Sequence, residues 1–223
     1  MVAAKPLLAA AFFGVLGVSL LGAGTATADN PTVKIRSADQ ASAVAQLLKQ
    51  SDFGVGWHGG STKPSKLTSP SCPGFNPKES DLVVTGHAEA KFSYQQSGVL
   101  FDQDVQVLAH GSDVQKDFAR TIRPELAGCL AYQLDHAANV SHAVVKKIAF
   151  QPVGTVSAAY RATILVTGPS GTGRFLSDYV FFGEGRFEVS FNVIAPAGAG
   201  AQLLRFESAM AGILLKRMGA IPA

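Results

Sequence analysis

The sequence predicts an α+β domain: a mostly antiparallel sheet of about six strands, with helices packed on its face or faces and one disulfide. Three observations carry this expectation. Apolar residues recur at every second position in six runs, and at spacings of three and four in four other segments. Neighbouring strand-like runs are joined by short turns, which pairs them antiparallel. Two cysteines, Cys72 and Cys129, occur in a chain that begins with an export-like segment.

That segment comes first. Lys5 is the only charge before Asp29, Leu7 to Gly24 is uncharged, and Ala26-Thr27-Ala28 reads as a cleavage site. Residues 1–28 are therefore expected to be a signal peptide, removed after Ala28. The apolar stretch is interrupted by Gly14, Gly17, Gly22 and Gly24, which disfavours retention as a membrane anchor. No cysteine follows it to carry a lipid. The exported chain is expected to be secreted or extracytoplasmic, without stable membrane insertion. It keeps 18 basic and 16 acidic side chains once Lys5 is gone, well interspersed. Such a balance argues against a nucleic-acid partner.

Residues 29–36 read as a short flexible segment, and 37–223 as a single domain. Ser37 and Gln40 fit a capping box, and Val44, Leu47 and Leu48 follow at helical spacing until Gly54 and Gly56. From Gly59 to Pro77 the composition is that of a long surface loop, of the kind that often carries function. Leu82 to Phe92 then alternates cleanly, and Val99 to Val107 alternates again after the turn Gln95–Gly98. If this hairpin is symmetric about its turn, His87 pairs with Gln106, Glu89 with Asp104, and Lys91 with Asp102. The polar face of the hairpin is expected to be solvated.

Ser112 and Gln115 fit a second capping box, with Val114, Phe118 and Ile122 on one stripe. Pro124 opens the next helix, which carries Leu126, Leu130 and Leu134 beside Cys129. Four further strands follow. Val144, Ile148 and Phe150 mark the first, and Ala158 to Val166 the second. Phe175, Tyr179 and Phe181 mark the third, and Phe187 to Val193 the fourth. Leu203, Phe206, Met210 and Ile213 define a last helix.

The chemistry-bearing residues form no linear catalytic motif. Gly168–Arg174 lacks the lysine and the following helix of a phosphate-binding loop, and reads as a hairpin turn. His110–Asp113 holds His, Ser and Asp side by side, whereas a triad is assembled in space. The five histidines show no metal-ligand spacing, so no metal and no cofactor is expected. Asp102 and Asp104 share a strand face, as ion ligands or an acid–base pair would, but such a pair usually marks a solvated surface. Cys72 and Cys129 are expected to be bonded to each other. Closing a separation of that length stabilises by on the order of 4 kcal/mol. Trp57, His87, Arg161 and Arg186 are the candidate ligand-binding residues: an aromatic beside the loop, a strand histidine, and two arginines able to grip an anion.

Several short stretches occur in a telling order: FGVGW (Phe53–Trp57), SCPGF (Ser71–Phe75), VVTGHAEAKF (Val83–Phe92), PELAGCL (Pro124–Leu130), AAYRA (Ala158–Ala162) and GEGRFEVSF (Gly183–Phe191). Together they resemble secreted actinobacterial proteins related to the extracellular sensor domain of the mycobacterial kinase PknH. The resemblance spans roughly residues 37–218. It implies an α+β fold with an antiparallel sheet and a ligand-binding cleft, and it brings no catalytic residues. The chain departs from the pattern in having cysteines for one disulfide where the kinase sensor has two, no lipid-attachment cysteine, and no kinase domain. The function expected is a secreted, non-catalytic binding or sensor-like domain for an unidentified small molecule or envelope component. A small hydrolase built from spatially assembled His and Asp residues, and an envelope protein–protein adaptor, are the alternatives.

Overall fold

The computed structural model describes residues 28–168 and 171–219, so the expected signal peptide falls almost wholly outside the described residues. The chain builds eight strands and four helices: β1 (Thr32–Val33), α1 (Ser37–Ala45), β2 (Trp57–Thr62), β3 (Val83–Tyr94), β4 (Val99–Leu108), α2 (Gly111–Thr121), α3 (Glu125–Asp135), β5 (Val140–Ile148), β6 (Val156–Gly168), β7 (Gly171–Glu184), β8 (Phe187–Pro196) and α4 (Gly200–Gly219). The sheet runs β1-β3-β4-β8-β7-β6-β5, with β2 also on the outer edge of β3. Only the β1–β3 pair is parallel. The α+β class stands; the sheet is mixed, and it has eight strands rather than about six.

The two additional strands lie where sequence pattern is weakest. β1 is two residues long. β2 occupies part of the stretch expected to be loop, because its segment HGGST has no apolar alternation. It joins the sheet through its backbone, pairing Trp57 with Tyr94 through to Thr62 with Glu89. Gly59 permits this. Its φ is +144°, and a Cβ there would lie 2.0 Å from the Lys91 carbonyl oxygen.

Strand β3 pairs with β4 in the register expected from the turn: His87 with Gln106, Glu89 with Asp104, and Lys91 with Asp102. A register shift between Val84 and Gly86 interrupts the ladder. There α1 crosses the strand, and a Cβ on Gly86 would meet the Asp39 carbonyl oxygen at 2.3 Å. Backbone cannot swing aside as a side chain can. Gly86→Ala is expected to destabilise by about 1–3 kcal/mol, read from urea unfolding, whereas Gly60→Ala, where nothing lies within 4 Å, leaves the midpoint unchanged.

Helices cover both faces. On one, Ala43, Leu47 and Leu48 at the end of α1 and Leu203, Met210 and Leu214 of α4 close over Phe101, Val105, Phe182, Val189 and Phe191. Val44, expected on the inner stripe of α1, is exposed instead. On the other face, Leu126 and Leu130 of α3 pack on Ala158 and Tyr160, and Leu134 packs on Ala162 and Ile164. Val114 of α2 packs on Val84 and Leu108. Neither expected capping box forms: α1 and α2 start without a side-chain cap bond. Gln40 is spent elsewhere, donating from Nε2 to the His87 carbonyl at 2.8 Å and accepting from the His87 amide at 3.1 Å.

Cys72 and Cys129 are bonded, with Cα atoms 5.6 Å apart, and no free cysteine remains. The bridge points to an oxidising, extracytoplasmic compartment. Among the described residues, no helix is long and apolar enough to cross a membrane.

Candidate functional site

Three strands present polar side chains on the face that α2 and α3 cover. From β3 come His87, Glu89 and Lys91; from β4, Asp102, Asp104 and Gln106; from β8, Glu188, Ser190 and Asn192. Alternation puts them there, since their neighbours Ala88, Val105, Val189 and Phe191 face the opposite core. This face is solvated only in part, with Lys91 and Asp102 about half exposed. His87, Glu89 and Glu188 are nine-tenths buried or more. The pattern distinguishes apolar from polar faces, but it does not distinguish bulk water from a covered polar cavity.

That cavity has a volume of about 1420 Å³. Its floor is the polar sheet face, its sides include Phe118, Thr121, Leu126 and Leu130 of α2 and α3, and the segment 65–73 borders it. Cys72 lies in this border, so the disulfide fastens the border to α3. The segment is tied down elsewhere as well. The Ser65 amide donates to Glu89 Oε1 at 2.8 Å, and the Ser65 hydroxyl bonds the same oxygen. The Ser69 amide donates to Asn30 at 2.9 Å, and its hydroxyl to Glu79 at 2.5 Å.

Six carboxylates line the space: Glu79, Glu89, Asp102, Asp104, Asp117 and Glu188. Burial and crowding disfavour the charged forms of three of them, Glu79, Asp102 and Glu188. Burial, and then the Asp117 charge, push Glu79 up to about 7. Burial and Asp117 raise Glu188 well above the carboxylate range, and its Oε1 is buried without a hydrogen-bond partner. Burial also raises Asp102, against the pull of Lys91 3.9 Å away. His87 sits against two of these groups, with Nε2 2.5 Å from Asp104 Oδ2 and 3.7 Å from Glu89 Oε1. Burial draws the imidazole pKa down, but the Asp104 bond and the two negative charges outweigh it and raise it. Gln106 Nε2 donates to the other Asp104 oxygen at 3.1 Å and fixes that carboxylate.

The other expected ligand residues do not join His87. Trp57 lies on the opposite face, stacked on Phe206 with ring centroids 5.3 Å apart. Arg161 grips the fully buried Asp178 through Nε at 2.7 Å and Nη2 at 2.5 Å. Arg186 binds Asp39 at 2.7 Å and the Leu108 carbonyl at 2.7 Å, clamping α1 to the hairpin. Asp102 and Asp104 do reach the cavity, although sequence reasoning placed them on a wet surface. Glu79, Glu89, Asp117 and Glu188 were not singled out as ligands. For Glu188 a signal existed: Glu188, Ser190 and Asn192 make a polar stripe on a strand whose other face is Val189, Phe191 and Val193. The stripe marks a polar face, but it does not tell a solvated face from a cavity floor.

No protein-family model matches the chain, and no curated protein is significantly similar to it.

Proposed function

We propose that this protein is an extracytoplasmic, sensor-like binding module whose ligand occupies the acidic cavity, without catalysis of its own. The observation that carries this reading is the cavity itself. A space of about 1420 Å³ with apolar sides and a polar floor is large enough for a small metabolite or a short glycan. A covalent bridge and several hydrogen bonds hold its border segment in place, which preorganises the site. The order of short motifs that resembles the sensor-domain family supports the same reading. A thermal-shift screen of envelope metabolites and glycans, weighted towards cationic compounds, tests it. A ligand is expected to raise the melting temperature, and Ser190→Trp, which places an indole on the cavity floor, is expected to abolish that shift while leaving the fold intact. Absence of any hit, or a hit indifferent to Ser190→Trp, overturns the reading.

One observation favours a second reading, a small hydrolase. His87 stands within hydrogen-bond reach of Asp104, which lines the cavity, and burial raises the Glu79 pKa to about 7. Turnover of chromogenic ester or glycoside substrates, lost in Asp104→Asn, would support it.

A further inference from the structure

We propose that His87, Glu89 and Asp104 form a divalent-cation site at the edge of the cavity, which Glu89 and Asp104 line and His87 backs, with an N/O ligand set suited to Zn²⁺ first and Mn²⁺ second. Nε2 of His87, Oε1 of Glu89 and Oδ2 of Asp104 lie within 4.8 Å of one another. The set is assembled by the sheet and not by linear spacing. His87 and Glu89 are two apart on β3, hence on one face, and Asp104 is the cross-strand partner of Glu89. This is why no motif betrayed it.

The geometry suits a small cation. Ligands at about 2.0–2.2 Å from a tetrahedral or octahedral ion stand roughly 2.8–3.6 Å apart. The His87–Asp104 separation of 2.5 Å and the His87–Glu89 separation of 3.7 Å bracket that value, so small rotations of the carboxylates close the set. One imidazole with two carboxylates matches borderline cations better than Ca²⁺ or Mg²⁺, which prefer all-oxygen shells. Two carboxylates neutralise a dication. The ligands are also held from behind. Gln106 bonds the outer oxygen of Asp104, and both backbone polar groups of His87 are taken by Gln40, while Ser65 bonds the Glu89 oxygen that faces His87 and gives way when a cation takes it.

A second observation points independently to a cation. Glu188 is 8% exposed, lines the same cavity, keeps its Oε1 buried without a hydrogen-bond partner, and stands against the Asp117 carboxyl. It projects from β8 opposite Gln106, one pair along from Asp104. Carboxyls packed this closely repel one another when ionised, and a dication beside them relieves that repulsion. Three protein ligands leave a coordination position, and Glu89 and Asp104 open it towards the cavity, where Glu188 or a bound molecule could complete the shell. Only this last step rests on the cavity being a ligand site; cation binding does not.

The test uses tag-free protein stripped with chelator and dialysed against Zn²⁺, Mn²⁺, Ca²⁺ or Mg²⁺ in turn, with metal content and melting temperature measured. One equivalent of Zn²⁺ is expected, with a raised melting temperature and little response to Ca²⁺ or Mg²⁺. Asp104→Asn and Glu89→Gln, which keep side-chain shape, are expected to weaken binding by at least tenfold. Cobalt substitution of the unaltered protein, giving visible d–d absorption of a site with nitrogen and oxygen ligands, provides a readout that does not depend on a variant folding. No retained Zn²⁺, or retention unchanged in both folded variants, overturns the proposal. Because the organic-ligand screen can be run in chelator, a failure here is distinguishable from a failure of the cavity reading.

Discussion

Replacing Cys72 and Cys129 together with alanine is expected to lower stability by about 4 kcal/mol. The bridge spans a sequence separation of 57 residues. In the chain-entropy account a closed loop of that length removes this much freedom from the unfolded chain. For a domain of this size the loss corresponds to a fall in melting temperature of roughly 8–16 °C. The effect should also be spatially uneven. The sheet keeps its ladder, but the segment 65–73 loses its covalent tie to α3 and depends on hydrogen bonds from Ser65 and Ser69 and on the packing of Leu67. Hydrogen exchange in that segment should therefore rise ahead of exchange in β4 and β8, and affinity for any cavity ligand should fall with it. Urea unfolding of the double variant, and of the unaltered protein with and without reductant, checks the first point. A loss below 1 kcal/mol would show that the unfolded chain is not restrained by the bridge.

The parts of this fold legible in the sequence are those where one physical cue suffices. The β3–β4 register follows from a four-residue turn and two alternating runs, and it places Lys91 opposite Asp102 as the arithmetic requires. The pairing of Cys72 with Cys129 follows from there being only two cysteines. The cues fail where stabilisation comes from elsewhere in the chain. β2 has no apolar face, and is a strand because the outer edge of β3 offers unpaired backbone groups and Gly59 lets it approach. Gln40 looks like a capping residue, yet the edge of β3 at His87 outcompetes the helix start for its amide. The site was legible only in halves. His87, Asp102 and Asp104 drew notice as single residues or as a pair. Their meeting with Glu188 depends on β8 lying beside β4, a contact that skips β5, β6 and β7. No local pattern encodes that adjacency. The arginines misled for a related reason, since the carboxylates they serve, Asp178 and Asp39, come from other elements.

Glu207→Gln is expected to stabilise the protein at neutral and alkaline pH, an unusual outcome for a buried substitution. Glu207 lies on α4, fully buried, and its carboxyl stands against that of the fully buried Asp178 with no hydrogen-bond donor on either oxygen. Burial is the larger cause and the neighbouring Asp178 the next in raising its pKa from the ordinary 4.5 to about 9, against the opposing charge of Arg161. The folded chain thus holds a proton on Glu207 at neutrality that the unfolded chain releases. Its contribution to stability is whole below about pH 4.5, declines by about 1.4 kcal/mol per pH unit as pH rises, and levels off above pH 9. Glutamine keeps the size and a donor group of the protonated acid but has no proton to lose. Near pH 5 the two proteins should unfold at similar urea concentrations. At pH 8 the variant should be more stable by a few kcal/mol, since the native protein has by then lost most of the Glu207 contribution. Glu79 and Glu188, also raised, tilt both proteins alike, so the difference between the two curves isolates Glu207. Parallel curves across this range would mean that Glu207 gives up its proton in the folded state, with the Arg161 guanidinium holding Glu207 and Asp178 ionised together.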